Sequence, residues 1–426
     1  MRKPDGRDAD VVVIGAGVAG LACAADLLAA GVRVSLLEAA DTPGGRVATD
    51  RVRGFTTDRG FQVLNTAYPQ VKRRLKLRAL RLRPFTPGVL VHTGDGLRRF
   101  TDPTRRLRDS RDLLPGRLAP ARDLAALGVL SARDMLAPAA RLRGRQDGTT
   151  LTALADAGFS PAFVEAFFRP FLSGVFLEDE LETSARFFHL VWRSMLRGTA
   201  CLPADGMGAI PAQLASALPG SVVRTATPVA SLTPDGVLLA DGADLAAAAV
   251  VVATGQSAAA RLLPGLAVPR ARTVTTLYHA AERSPLAEPT LVVDGGRRFL
   301  NTCVLTEVHP GYSVDGRALV STSVLGAPGP ADEAAVRVAL GHVYGADTGS
   351  WEAVHRVTVR DALPAMTPPW PLSRSTRFSP GRYVCGDHRA TGSLQGAMAS
   401  GARAAREVLM DLRAGTRTRT QPRRGA

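Results

Sequence analysis

The segment VVVIGAGVAG, residues 11–20, restricts the possible folds of this chain most strongly. Its apolar residues predict a short buried strand, and Gly15, Gly17 and Gly20 complete the pattern GxGxxG at the start of an apolar helical repeat. A second strand ends on Glu38. In such a βαβ unit the glycines allow a tight turn, close approach of a pyrophosphate and close helix–strand packing, while the acid accepts hydrogen bonds from a ribose. The segment therefore predicts a site for the adenosine diphosphate half of NAD or FAD.

Residues outside this unit distinguish the two nucleotides. The sequence GGR at 44–46 follows the second strand and suits a phosphate, although a plain turn with a surface arginine explains it equally well. Near the C-terminus a predicted strand ends at Cys385, and Asp387 follows where it can bind a polyol such as the ribityl chain of FAD. Small residues at the start of the next helix, near Gln395, leave room for a flat ring. These features favour FAD.

Four stretches resemble the FAD-dependent amine oxidase and phytoene desaturase superfamily. They are the segment from VIGAGVAG to GGR (13–46), FTTDRGFQVL (55–64), VVVATG (250–255) and VCGDHRATGSLQGAMASGARAA (384–405). The last is more similar to the carotenoid and squalene-type desaturases than to the amine oxidases. The resemblance implies an α/β fold, in which a discontinuous Rossmann-like FAD-binding domain carries an inserted α+β substrate-binding domain.

The same resemblance implies which residues bind FAD. The pyrophosphate would meet the glycine-rich loop, the ribose would meet Glu38, and the backbone of Val229 would hold the adenine. Arg46 would meet a phosphate or the flavin edge, and Asp387 the ribityl or phosphate region. Residues 60–62 and 395–397 would lie near the isoalloxazine ring. The full set of expected cofactor-binding residues is Gly15, Ala16, Gly17, Ala19, Gly20, Glu38, Ala39, Gly45, Arg46, Gly60, Phe61, Gln62, Val229, Gly386, Asp387, Gln395, Gly396 and Ala397.

Domain boundaries are expected from the superfamily and from strand content. The FAD-binding domain would comprise 1–80, 203–265 and 355–412, and the substrate-binding domain 81–202 and 266–354. The polar, basic tail 413–426 is expected to be disordered.

Aromatic residues concentrate between 163 and 196. They are Phe163, Phe167, Phe168, Phe171, Phe176, Phe187, Phe188 and Trp192. At helical spacing such residues usually form a core, and the alternative is an apolar substrate channel.

The expected chemistry is removal of a hydride by FAD from an apolar substrate, with isoprenoids as one candidate class. Amine oxidases of the superfamily commonly carry a lysine at the flavin and an aromatic pair, whereas this chain has no lysine after Lys76 and no aromatic residue after Tyr383. His388 is the best-placed residue to handle a proton. Three alternatives stay open: an amine or porphyrinogen oxidase that uses oxygen, a redox-neutral flavin isomerase, and a non-catalytic prenyl- or lipid-binding protein. The sequence leaves the electron acceptor open.

Charge and composition bear on partners and location. The formal net charge is +15, almost all of it from arginine, but aromatic residues make up only 5% of the chain, so we expect no nucleic-acid partner. The basic segments 72–83 and 98–145 are expected to be solvated, with peripheral contact to an anionic membrane as the alternative. We expect a cytoplasmic protein, because no apolar run is long enough to span a bilayer and no signal core follows the N-terminus. The oligomeric state stays open.

Cysteine spacing argues against metal binding. The four cysteines, Cys23, Cys201, Cys303 and Cys385, show neither paired nor metal-ligand spacing. We expect buried, reduced thiols and no metal site.

Overall fold

A computed structural model describes residues 8–101 and 119–420, and it divides them into two compact units. The first unit contains the described residues up to Val47, the segment Ile210–Arg270 and the chain from Pro371 onward. The second contains the described residues of Ala48–Ala209 and Ala271–Trp370.

The strands, in chain order, are β1 (Ala9–Ile14), β2 (Val34–Leu37), β3 (Thr49–Val52), β4 (Phe55–Asp58), β5 (Leu64–Asn65), β6 (Arg83–Pro84), β7 (Val89–Thr93), β8 (Gly96–Phe100), β9 (Ala200–Leu202), β10 (Val223–Arg224), β11 (Val229–Thr233), β12 (Gly236–Leu239), β13 (Asp244–Val252), β14 (Ala271–Ala281), β15 (Val292–Asp294), β16 (Asn301–Val304), β17 (Ala318–Leu325), β18 (Glu352–Pro364), β19 (Arg377–Ser379) and β20 (Arg382–Val384).

The α-helices are α1 (Val18–Ala29), α2 (Pro69–Arg74), α3 (Ala121–Leu136), α4 (Ala139–Arg143), α5 (Thr150–Asp156), α6 (Pro161–Phe163), α7 (Arg169–Phe176), α8 (Ala185–Arg197), α9 (Ala209–Ser216), α10 (Gln256–Leu262), α11 (Leu305–Val308), α12 (Pro330–Tyr344) and α13 (Leu394–Thr420). A π-helical turn at Val164–Phe168 joins α6 to α7, and 3₁₀ turns lie at Pro310–Tyr312, Thr348–Ser350 and Asp387–Arg389.

The first unit is built on an eight-stranded sheet, and its central path runs β10-β2-β1-β13-β12-β11. β1 lies parallel between β2 and β13, and β20 extends the parallel part beside β13. Val11, Val12 and Val13 are fully buried, as expected for a strand covered on both faces. The helices α1 and α13 pack along each other. The predicted α/β fold with a Rossmann-like βαβ unit is confirmed.

The second unit is built on a seven-stranded sheet of order β18-β14-β17-β16-β15-β7-β8. Its pairs are antiparallel except for β15 with β7. Buried residues of α12, including Val336 and Leu340, form one core cluster with sheet residues such as Leu277 and Val320. This unit has the α+β character expected of a substrate-binding domain.

Most aromatic residues of the predicted cluster are core. Phe168 and Phe188 are fully buried, and the rings of Phe167 and Phe100 stack with centroids 4.2 Å apart. Phe171 is half-buried and stacks on Phe167. A core role therefore accounts for the cluster, and Phe171 is the member of the set with the greatest access to solvent.

The unit boundaries differ from the expected domain boundaries by a few residues at 203–209 and 266–270, and by longer segments at two other places. Residues 48–80 belong to the second unit, where the hairpin β3–β4 is fixed because the Tyr278 hydroxyl donates to the carbonyl oxygen of Asp58 at 2.7 Å. Residues 355–370 also belong there, since β18 pairs with β14. The assignment of cofactor to one unit and substrate to the other stays a prediction.

The beginning of the expected disordered tail is helical instead. α13 extends through residues 413–420, and no proline interrupts the chain between residues 394 and 421. The four cysteines are confirmed as buried.

Candidate cofactor site

The glycine-rich loop between β1 and α1 has the geometry that the sequence predicts. Gly15 has a φ of 101°, in the left-handed region that favours glycine. A Cβ atom on Gly20 would lie 1.9 Å from the carbonyl oxygen of Gly15, so only glycine lets the helix approach the loop this closely. Gly17 is the N-cap of α1, whose first turn contains no acid and whose cap makes no side-chain hydrogen bond. The N–H groups of this turn are therefore available to an anion.

Glu38 links the end of β2 to the glycine-rich loop. Its Oε2 accepts a hydrogen bond from the Ala16 backbone N–H at 2.7 Å, and its Oε1 accepts one from Ala40 at 3.0 Å. The backbone N–H of Thr227 donates to the Glu38 carbonyl oxygen at 2.8 Å, which brings the segment leading to Val229 beside this strand end. The carboxylate is thus held in place by backbone donors, in the position expected of a ribose acceptor.

The GGR segment packs against the glycine-rich loop. The Gly44 N–H donates to the Ala16 carbonyl oxygen at 3.0 Å, and Gly44 forms a parallel bridge with Gly17. Gly44 has a φ of 138°, and a Cβ atom there would lie 2.5 Å from the Val47 carbonyl oxygen. Gly44 is therefore required by its backbone conformation and by a close contact within its own loop.

Arg46 and Asp387 form a bidentate ion pair. Arg46 Nη1 and Nη2 donate to the two carboxylate oxygens at 2.8 and 2.7 Å. Burial alone would raise the pKa of Asp387, but the charge of Arg46 and the hydrogen bonds that Arg46 donates hold the pKa of this carboxyl well below its usual range. The pair joins the GGR segment to the C-terminal motif. The resemblance to the superfamily implied instead that each of the two residues contacts FAD separately.

The rest of the C-terminal motif surrounds this pair. Gly386 donates its N–H to Ser400 Oγ at 3.2 Å, and the His388 N–H donates to Asp387 Oδ1 at 3.0 Å. The His388 side chain is completely buried, and in the described part of the chain neither ring nitrogen has a hydrogen-bond partner. His388 therefore lies beside the site without a surface that a ligand could touch in this conformation. Its catalytic role stays a prediction.

The start of α13 is fixed by a residue that sequence reasoning missed. Ser393 Oγ accepts a hydrogen bond from the Gly396 N–H at 3.0 Å, as an N-cap residue does. Gln395 is half-buried, whereas Gly396 and Ala397 are buried. A serine three residues before Gly396 was the available sequence signal.

The expected flavin neighbours at 60–62 lie in the second unit. Gly60 has a φ of 87°, the Phe61 N–H donates to Thr276 Oγ1 at 3.1 Å, and the Phe61 ring meets Phe85 edge-on. Gln62 Nε2 donates to the Arg59 carbonyl oxygen at 3.4 Å. All of these contacts are to residues of the second unit, and contact of residues 60–62 with a cofactor stays a prediction.

The segment FTTDRGFQVL (55–64) also contains a buried carboxyl, Asp58, which was not singled out from the sequence. Asp58, at the end of β4, accepts hydrogen bonds from the Thr49 hydroxyl and from the Met207 N–H. Burial raises the pKa of Asp58 to about 6, and these two donors only partly oppose the shift. Two buried tyrosines, Tyr278 and Tyr312, lie near it, and burial raises the pKa of both phenols. The available sequence signal was an acid directly after the apolar and β-branched residues of FTT. In the structure all four residues of this strand are buried.

The first unit fits the expected cofactor. A Cβ atom on Gly17 would meet nothing nearer than the Gly44 carbonyl oxygen at 4.0 Å, and one on Gly45 nothing nearer than Gly17 Cα at 3.8 Å. The space beside these glycines is therefore open at the N-terminus of α1, where a pyrophosphate would be stabilised. Within the described residues, no group of three or more His, Cys, Asp or Glu side chains is arranged to hold a metal ion.

Comparison with known families gives a match over most of the chain. Residues 18–409 match the family model described as "Flavin containing amine oxidoreductase". The match runs from the first turn of α1 to the C-terminal motif, and so it includes both halves of the Arg46–Asp387 pair.

Comparisons with individual proteins are local in sequence and global in fold. The chain is 44% identical over 82 residues to a phytoene dehydrogenase of Streptomyces griseus, an alignment that covers 17% of this chain and 16% of that protein. It is 49% identical over 57 residues to a hydroxyneurosporene desaturase of Rhodobacter capsulatus, covering 13% and 12% of the two chains. The solved structure of cyclohexylamine oxidase from Brevibacterium oxydans superimposes with a TM-score of 0.69 over 95% of this chain and 100% of that one, at 18% identity. The last likeness concerns the fold alone.

Proposed function

The chain belongs to the flavin containing amine oxidoreductase family, a family of FAD-dependent oxidoreductases, and we propose that it removes a hydride from an apolar substrate in a desaturation or dehydrogenation. Isoprenoid chains are the first substrate class to test. The phytoene dehydrogenase and hydroxyneurosporene desaturase noted above support this class, although each alignment covers less than a fifth of either chain.

The residues of the first unit supply the binding part of this function. The first turn of α1 and the Gly44–Gly45 turn would meet the pyrophosphate, and Glu38 would accept hydrogen bonds from the adenosine ribose. The Arg46–Asp387 pair fixes the C-terminal motif against the GGR segment, so that polar groups at the site keep one arrangement. Bound FAD would supply the hydride acceptor.

The observation that carries the proposal is the lack of amine-recognition residues. The chain contains no lysine after Lys76 and no aromatic residue after Tyr383, in contrast to the lysine and aromatic pair expected of amine oxidases. An apolar chain needs no such groups, because the protein must hold it and exclude water without orienting a lone pair.

The proposal is tested by anaerobic mixing of the flavin-loaded protein with three substrate classes: a polyprenoid chain in detergent, a set of primary and secondary amines, and a porphyrinogen. Loss of flavin absorbance with the polyprenoid, together with a product two hydrogens lighter by mass spectrometry, is the expected result. Bleaching by amines or by the porphyrinogen alone would contradict the substrate class. An isomerised polyprenoid of unchanged mass would replace net oxidation with a redox-neutral reaction.

The binding-protein alternative predicts a different outcome. A protein that only carries a lipid would bind the polyprenoid without any change in flavin absorbance or in the mass of the ligand. Gel filtration with a radiolabelled polyprenoid measures this binding separately from turnover.

A further inference from the structure

The helix α3 of the second unit has polar groups on its buried face. Asp123 and Asp134 are completely buried, and Leu130 lies between them on the same side. Asp123 accepts hydrogen bonds from the Ser160 N–H and hydroxyl, both at 2.7 Å. Asp134 Oδ2 lies 2.6 Å from His189 Nδ1. These contacts fix which face of the helix points into the protein.

The opposite face of α3 is apolar and exposed. Val129 and Leu136 are 69% and 77% exposed, and Ala125 and Ala132 are exposed beside them. The four residues recur at spacings of three and four, so they form one stripe along the helix. An ordinary surface helix has the reverse arrangement, with its apolar stripe inside. We call the residues Ala125, Val129, Ala132 and Leu136 the outer stripe.

Within residues 119–146, which contain the outer stripe, the exposed charges have one sign. Exposed arginines occur on α3, on α4 and just after it, and they are Arg122, Arg133, Arg141, Arg143 and Arg145. The acids between residues 119 and 146 are Asp123 and Asp134, and both are completely buried. The surface of this segment therefore combines exposed apolar side chains with cations and displays no anion of its own.

The other basic segment, 72–83, does not combine exposed apolar side chains with exposed cations. In residues 72–83, Leu75 and Leu80 are buried, while Lys72 and Arg73 are exposed on α2. Leu77 and Leu82 are half-buried, so this segment has no exposed leucine, and solvation alone explains its basic surface. Apolar contact and positive charge occur together on α3 and α4.

We propose that the outer stripe and its arginines dock on an anionic bilayer surface, with α3 lying along the interface. Apolar side chains on one helix face bury into the headgroup boundary, and arginines beside them meet lipid phosphates. A second copy of the chain fits the same face poorly, because two such surfaces would bring arginines together. Of the basic segment 98–145, residues 102–118 lie outside the described residues, and the proposal uses only 119–145. The proposal does not depend on the cofactor or on the reaction.

Sedimentation with vesicles tests this proposal on the full-length protein. The probes are vesicles of phosphatidylcholine alone and vesicles with about 30% phosphatidylglycerol, each at low and high salt. We expect binding to the anionic vesicles at low salt, weaker binding to the neutral ones, and release as salt rises. The substitution Leu136→Asp should lower the partition coefficient about tenfold, because it removes a large apolar side chain from the outer stripe and adds a negative charge.

Two matched variants control for the general effect of an added charge. Val338→Asp alters an apolar residue of α12 that is 60% exposed in the same unit, and it should bind like the wild type. The pair Arg141→Glu and Arg143→Glu should weaken binding, whereas Lys72→Glu with Arg73→Glu should weaken it less. All variants should melt at the wild-type temperature, because the altered side chains are exposed.

Three outcomes would overturn the proposal. They are equal binding to neutral and anionic vesicles, wild-type binding by Leu136→Asp, and an equal loss with Val338→Asp. A dimer in analytical ultracentrifugation that Leu136→Asp abolishes, without vesicle binding by the wild type, would assign the outer stripe to a second copy of the chain instead.

Discussion

The two units of this protein use different means to build their polar interiors. In the first unit the loops of the candidate site are defined by backbone, because Gly15, Gly20 and Gly44 occupy positions that a Cβ atom would disrupt, and the Arg46–Asp387 pair adds one contact between side chains. In the second unit buried side chains carry the polar contacts, as Asp58 does with Thr49. On the predicted assignment of cofactor to the first unit and substrate to the second, a cofactor site built from backbone groups places few demands on side-chain identity, and substrate specificity would come from the side chains of the second unit.

The largest expected effect comes from adding a side chain at the close contact between Gly20 and the glycine-rich loop of the first unit. In Gly20→Ala the new Cβ atom would lie 1.9 Å from the Gly15 carbonyl oxygen, so the loop and α1 must separate. We expect a loss of about 3 kcal/mol of stability, at the upper end of overpacking costs, and no retained flavin. Flavin absorbance per protein after gel filtration and the melting temperature measure the two effects.

A matched glycine in the same unit provides the control. A Cβ atom on Gly220 would meet no heavy atom within 4 Å, so Gly220→Ala should retain flavin and melt as the wild type does. Normal flavin content in Gly20→Ala would show that the close approach of α1 to the glycine-rich loop is not needed for flavin binding.

The second unit is tested through the buried carboxyl of Asp58. Its pKa of about 6 lies above the value of 3.8 for a free aspartate, so folding favours the protonated form. That stabilisation is complete below the unfolded pKa and is lost as the pH rises through 6. Between about pH 4 and pH 7 the wild type should therefore lose roughly 2 kcal/mol of unfolding free energy relative to Asp58→Asn, which stays neutral.

Tryptophan fluorescence in urea measures this difference, because Trp192, Trp351 and Trp370 are the only tryptophans and all lie in the second unit. A companion variant, Thr49→Val, removes a hydroxyl that lowers the Asp58 pKa and should move the transition to higher pH. Parallel pH profiles for the wild type and Asp58→Asn would contradict a raised pKa at this residue.

The smallest expected effect comes from a side chain in the backbone-defined site. Glu38→Ala removes the acceptor for the Ala16 N–H and the expected acceptor for the ribose. We expect an affinity for FAD about tenfold lower, or about 1.4 kcal/mol, measured by fluorescence titration of the apoprotein. Asp41→Ala, at a nearby exposed acid, should bind FAD like the wild type. Equal affinities for Glu38→Ala and the wild type would remove Glu38 from the site.

The same contrast explains how far the sequence could predict the structure. The βαβ unit was predictable because Gly15, Gly20 and Glu38 act on residues close to them in sequence or on a neighbouring strand. The pairing of Arg46 with Asp387 joins residues 341 positions apart, and each alone was compatible with a direct contact to FAD. The hairpin that ends at Asp58 was expected in the FAD-binding domain, because the sequence of a short strand does not show which part of the fold it packs against. The tertiary bond from Tyr278 decides that question.

The visible spectrum of the freshly purified protein shows directly whether the first unit, with its open space beside Gly17 and its Arg46–Asp387 pair, holds FAD. We expect bands near about 375 and 450 nm and release of FAD on heat denaturation. A colourless protein that also fails to take up added FAD would contradict this expectation.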